Sequence, residues 1–302
     1  MTLSEELRNE LAQIAPEREC DRLAELSALF HSAGSEHFRG RGEIAVHLDL
    51  GSAAGARRAF SLLRSVDVAC EIRTYRQRAF EQATRFQLYV PVDERAAEVL
   101  RAAGVLGPRL APLERPPLRV VARSCCRRAY LRGALLAAGS LSAGHTLHLE
   151  IRAGGREGAE FLAAAAAREG VTLGIVERAR HVAVYAKGAD AVESLLVLAG
   201  GTDLVLALEE RAVMGATRAH ANRLANADHA NLVRTSRAAN AQLDAIHRLQ
   251  SRKEPLSPEL EATAGLRLRY PTLPLRELAA RSGVPKPTLA RRLAQLVLLA
   301  SE

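Results

Sequence analysis

The chain has 302 residues, with 42 lysines and arginines against 34 aspartates and glutamates, for a formal net charge of +8. That length points to about two domains with room for a small third one. Hydrophobic residues are 48% and charged residues 25%, which excludes a mostly disordered chain, and aromatics are only 4% with no Trp, too few for a stacking platform.

The N-terminal stretch is charged and helical in pattern, without the apolar core of a secretory signal, and residues 1–19 read as an N-terminal helix. No apolar run reaches the roughly 18 residues a bilayer span needs. A cytoplasmic protein with no membrane contact is expected. Cys20, Cys70, Cys125 and Cys126 lack the C-x-x-C spacing of a zinc site, so free thiols, no bound metal and no cofactor are expected.

From residue 20 onward the chain repeats itself. CDRLAELSALFHSAGS (20–35) and CCRRAYLRGALLAAGS (125–140) align without a gap at an offset of 105. Cys20 falls on Cys125, Arg22 on Arg127, Ala24 on Ala129 and Leu26 on Leu131, and Ala33-Gly34-Ser35 falls on Ala138-Gly139-Ser140. Both segments read as helices, with a glycine suited to a left-handed stop. Each is followed by an alternating strand (GEIAVHLDL, HTLHLEI), a helix, two short strands (around DVACEIRT and RFQLYVPV, then VTLGIVE and HVAVYAK) and a closing helix. The copies span 20–106 and 119–208. Small residues such as Ala24, Ala28, Gly133 and Ala137 allow the two repeated helices to pack closely about a pseudo-twofold axis, an α+β arrangement with helices on one face of each sheet.

Residues 209–251 form an arginine- and asparagine-rich helical connector. Asn226 or Asp228 would suit the cap of a new helix, and Arg218, Arg223, Asn226 and Arg234 are candidates for nucleic-acid contact, with a solvated basic surface as the plainer account. RKEPLSP (252–258) reads as a linker. Residues 259–302 then read as an all-α helix-turn-helix domain. Leu275, Leu278 and Ala279 give one helix an apolar face, Gly283 supplies the turn, Val284 fills the angle, and Leu289, Leu293 and Leu296 bury the second helix. The exposed side of that second helix would carry Lys286, Thr288, Ala290, Arg291 and Arg292, with Lys286 and Arg291 near bases and Thr288 and Arg292 on phosphates.

The repeat order and its helices resemble the LAGLIDADG homing endonuclease fold. That likeness implies metal-binding carboxylates at Ala33 and Ala138, where a methyl cannot ligate a hard cation. CCRRAYLRGALLAAGSLS, together with Asn222-Arg223-Leu224-Ala225-Asn226-Ala227-Asp228 and Ala230-Asn231-Leu232, further resembles the WhiA family of bacterial transcription regulators over nearly the whole chain. The resemblance implies a pseudo-twofold duplicated LAGLIDADG-like domain without nuclease activity, followed by a helix-turn-helix domain. It also implies a nucleoid-associated regulator of cell division, chromosome segregation and, in sporulating bacteria, sporulation. Double-stranded DNA would be its partner, with another transcription regulator as a second one. Two alternatives stay open at this point: an active endonuclease using Glu36 or another carboxylate, and a scaffold whose repeat domain binds a protein.

Overall fold

The computed structural model describes residues 1–38, 44–76, 84–179 and 181–301, without the side chains of Glu36, His37 and Phe38. They fall into two units, 1–210 and 211–302.

The first unit opens with α1 (Leu3–Leu11). Thr2 and Glu5 cap it reciprocally: the Glu5 N–H donates to Thr2 Oγ1 (3.3 Å) and the Thr2 N–H to Glu5 Oε2 (2.7 Å). The expected helix over 1–19 is therefore shorter, and a separate helix starts at Glu19. Pro16 accounts for the interruption, since it removes a backbone donor and drives the residue before it out of the helical region. Leu7 and Leu11 are fully buried, so α1 belongs to the core.

Two copies of one element order follow. The first comprises α2 (Glu19–Ala33), β1 (Gly34–Phe38), β2 (Ile44–Leu50), α3 (Ala53–Arg64), β3 (Glu71–Arg76), β4 (Thr84–Pro91) and α4 (Glu94–Ala102). A 3-10 turn at Leu118–Val121 leads to the second: α5 (Ser124–Ala138), β5 (Gly139–Ala143), β6 (Leu147–Ala153), α6 (Arg156–Ala167), β7 (Gly174–Arg178), β8 (His181–Lys187) and α7 (Ala189–Ala199). The antiparallel sheets have matching orders, β1-β2-β4-β3 and β5-β6-β8-β7. In the first sheet Val46, Leu48, Leu50, Leu88 and Val90 are buried, and Asp49, Gln87 and Tyr89 alternate with them as less buried positions. The period of two that the sequence displays holds along the end of β4, whereas in β2 Ala45 and His47 are buried as well.

The most extensive helix pairing is α2 against α5. Gly133 shows why small residues line it: a Cβ there would sit 2.4 Å from the Glu25 carbonyl oxygen and 3.0 Å from the Ala28 Cβ. The glycines ending these helices act differently from the expected left-handed stop. Gly34 (φ −80°, ψ 149°) and Gly139 (φ −70°, ψ 140°) are extended and turn the chain straight into a strand. A Cβ would lie 2.3 Å from the Phe30 carbonyl oxygen in one copy and 2.5 Å from that of Leu135 in the other. Glycine is required by the closeness of the preceding turn, not by a positive φ.

One acid lies fully buried between the helices. Glu25 on α2 accepts from Arg58 Nε (2.7 Å) on α3 and from Arg132 Nε (2.9 Å) and Nη2 (2.7 Å) on α5. The arginines come one from each copy, and both are buried. A buried charge this well hydrogen-bonded is tolerable, and removing Glu25 would leave two desolvated guanidinium groups without their counter-ion.

α8 (Thr202–Arg252) is a single helix of 51 residues. Its first turn lies in the first unit, where the Glu10 carboxylate accepts the N–H groups of Asp203 (2.8 Å) and Leu204 (2.9 Å). In the second unit, α9 (Pro258–Arg269), α10 (Leu275–Ser282) and α11 (Lys286–Leu299) enclose a separate core. That core includes Ala245, Ile246 and Leu249 from the end of α8, so the folded unit begins well before residue 259.

Candidate nucleic-acid interface

The second unit builds the angle between its helices from local chemistry. Ser257 caps α9, with its Oγ 3.4 Å from the Leu260 nitrogen. The buried Arg267 donates to the carbonyls of Leu273 (2.8 Å) and Tyr270 (3.4 Å), which pins the turn leading into α10. Gly283 ends α10 in the left-handed region at φ +68°, and the Val284 N–H donates to Ser282 Oγ (3.2 Å). Pro287 occupies the first turn of α11, where no N–H is needed. Leu278, Leu289, Leu293 and Leu296 are all essentially inaccessible, so the helical periodicity of the sequence marks the buried face.

The structure sorts the five expected recognition residues into two groups. Lys286 and Arg291 are exposed, and neither forms an ion pair among the described residues. Thr288, Ala290 and Arg292 are half-buried. The Arg292 guanidinium already pairs with Glu259 at 2.5 Å, tying α11 to α9. Gln295 is exposed four residues beyond Arg291 and shares its face. The sequence reading missed Gln295, although the i+4 spacing from Arg291 signals it. It also missed Arg276 and Arg281, both exposed on α10; Arg281 lies over the Tyr270 ring at 4.7 Å.

On α8, every residue from Glu209 to Leu232 is exposed, including Arg218, Arg223 and Asn226. Arg234, also exposed, is held within its own helix by Asn231 Oδ1 and the Ala230 carbonyl (3.3 Å). No helix starts at Asn226 or Asp228, because α8 runs through both. Their short polar side chains sit in a helix interior where the preceding turn already satisfies the backbone N–H groups.

Ala33 and Ala138 end α2 and α5, and their methyl groups present no oxygen. The backbone of Glu36 lies in β1, opposite Val46, and its side chain falls outside the described residues. No helix among the described residues is long and apolar enough to cross a membrane.

Three family models cover this architecture in order: the WhiA N-terminal LAGLIDADG-like domain (19–106), the WhiA LAGLIDADG-like domain (127–218) and the WhiA C-terminal HTH domain (221–300). A Symbiobacterium thermophilum protein named "Probable cell division protein WhiA" is 34% identical, over 99% of this chain and 98% of its own. The chain belongs to the WhiA family. A Streptomyces griseus member with the same name is also 34% identical, over 100% of this chain and 93% of its own. The fold matches the crystal structure of full-length WhiA from Thermatoga maritima with a TM-score of 0.58, at 21% identity over 100% of this chain and 98% of that one. For this WhiA protein the duplicated LAGLIDADG-like α+β unit and the C-terminal helix-turn-helix are thus established.

Proposed function

We infer that this protein is a DNA-binding transcription regulator acting in cell division, and that it does not cleave DNA. One observation carries the reading: α11 presents Arg291 with Gln295, and Lys286 at its N-terminus, on surface the core does not use, held at a fixed angle by Gly283 and Arg267. Arginine and glutamine are suited to paired hydrogen bonds with the major-groove edges of guanine and adenine. Arg276 and Arg281 on α10, with Thr288 in the first turn of α11, supply donors for phosphates. The names of the curated relatives support the cell-division role, and the WhiA helix-turn-helix match supports DNA as partner. The alanines ending α2 and α5 support a scaffold without hydrolysis, because in-line phosphodiester cleavage needs carboxylates to hold its metal ions.

Selecting bound duplexes from a randomised pool with the full chain tests this reading directly. A defined motif is expected, with affinity that falls steeply as salt rises, through counterion release. A flat salt dependence and no enriched motif would remove the helix-turn-helix from the role. Supercoiled plasmid incubated with the protein and magnesium should stay intact; nicking that disappears in Glu36→Ala would reverse the non-nuclease reading.

A further inference from the structure

At the opposite end of the paired helices from Ala33 and Ala138, the two copies bring four potential ligands together. Cys20 and Asp21 lie in the first turn of α2, and Cys125 and Cys126 in the first turn of α5. Their three sulfurs and a carboxylate oxygen all lie within 4.8 Å of one another. Cys125 Sγ is 3.8 Å from Cys126 Sγ, and Cys20 Sγ is 3.5 Å from Asp21 Oδ1. A tetrahedral zinc with sulfur at about 2.3 Å and carboxylate oxygen at about 2.1 Å has ligand–ligand edges of roughly 3.6–3.8 Å. The spacing within each helix matches that coordination sphere before any ion enters.

We propose that Cys20, Asp21, Cys125 and Cys126 form a structural site for a borderline-soft divalent metal, zinc by preference, that ties the two copies together at the N-termini of α2 and α5. Three sulfurs and one oxygen select zinc over magnesium or calcium, which want oxygen throughout. Four protein ligands fill a tetrahedral shell and leave no open position, so the site is structural and not catalytic. Three thiolates and a carboxylate bring four negative charges against the two positive charges of the ion. The surroundings offset the remainder: both helix N-termini direct their dipoles at the cluster, neither N-cap residue supplies a side-chain cap, and the Arg18 guanidinium is near enough to Cys125 to interact with its sulfur. Cys20, Asp21 and Cys125 are only half-buried, which gives an ion a way in. Because the ligands come from positions more than a hundred residues apart, no local C-x-x-C spacing announces the site.

The test uses the full chain, reduced and stripped of metal without oxygen. One equivalent of zinc is expected to bind in competition with a chromophoric chelator. Cobalt in its place should give thiolate charge-transfer absorption and the strong visible bands of a tetrahedral ion. Cys20→Ser should weaken zinc binding by more than tenfold, since even residues that merely support a ligand cost 10–100-fold; Cys70→Ser should change nothing. In the unmutated chain, zinc should protect Cys20, Cys125 and Cys126 from alkylation and leave Cys70 as reactive as before, a readout that does not depend on any variant folding. The proposal falls if the reduced chain binds neither metal, if Cys20→Ser binds zinc unchanged, or if zinc protects none of the three thiols. It falls equally if the anaerobically purified chain carries a disulfide from Cys20 to Cys125 or Cys126 that excludes the ion.

Discussion

The buried arginine pair at the centre of the duplicated unit and the exposed arginines of α10 and α11 do opposite work. In the duplicated unit, Arg58 and Arg132 are buried and spent on Glu25, where they join α3 and α5 to α2. In the helix-turn-helix unit, Arg276, Arg281 and Arg291 are exposed. The net charge of +8 therefore misstates what a polyanion would meet. An arginine whose donors are already held by a carboxylate or a carbonyl is part of the scaffold, as Arg267 and largely Arg292 are within the second unit itself. An arginine is available for recognition only where the fold has left it unmatched.

This contrast can be broken most sharply at Glu25. Glu25→Ala strands two buried guanidinium groups and should destabilise the first unit by about 3–5 kcal/mol, read from the urea midpoint. A loss below about 1 kcal/mol would mean the cluster is a solvated surface pair. Gly133→Ala comes next. Its methyl would collide with the Glu25 backbone, and a cost of roughly 1–3 kcal/mol is expected from overpacking; an unchanged midpoint would show that α2 and α5 pack more loosely than described. Arg291→Ala should leave stability alone and cost about 1–3 kcal/mol of discrimination between the selected motif and random duplex. Equal weakening on both duplexes would move Arg291 from base to phosphate, and no effect would remove it from the interface. Arg292→Ala should instead lower stability through the lost Glu259 pair, read from the urea midpoint, and leave the preference between motif and random duplex unchanged.

The smallest expected effect lies on the second sheet. Burial pushes the Glu150 carboxyl up, but the hydrogen bond and charge of Arg178 (2.6 Å), with the His181 and His148 rings at 3.5 and 3.7 Å, outweigh it and hold the pKa below its ordinary value of 4.5. The group's contribution to stability is thus present above about pH 4.5 and disappears as pH falls further through the lowered value. Glu150→Gln should flatten that acid limb of the stability profile and leave the neutral region nearly unchanged; an identical acid limb would assign the loss to other carboxylates.

Much of this was legible in the residues alone. The duplication shows because both copies kept the same cysteine, leucine and Ala-Gly-Ser positions, and the helix-turn-helix shows because Gly283 separates two well-phased apolar faces. What stayed hidden depends on contacts distant in sequence. Nothing local to Glu25 indicates that it is buried, because Arg132 stands 107 residues away. Asn226 and Asp228 look like caps, and only the continuity of α8 shows that they are not. Gly34 and Gly139 were legible as special positions but not for the right reason, since composition does not distinguish a positive φ from a crowded carbonyl. On the exposed side of α11, Lys286 and Arg291 could be read from helical phase, whereas the diversion of Arg292 required knowing where Glu259 lies.

The carboxylate of Glu10 ending on the backbone of Asp203 and Leu204 has a practical corollary for dissecting this chain. The N-terminal family match begins at residue 19, and a fragment cut there would look complete by homology. It would nonetheless discard Leu7 and Leu11 as well as the acceptor for the opening turn of a helix that starts some 180 residues downstream. Fraying at that turn would surface far from the cut, and its cause would be sought in the wrong place.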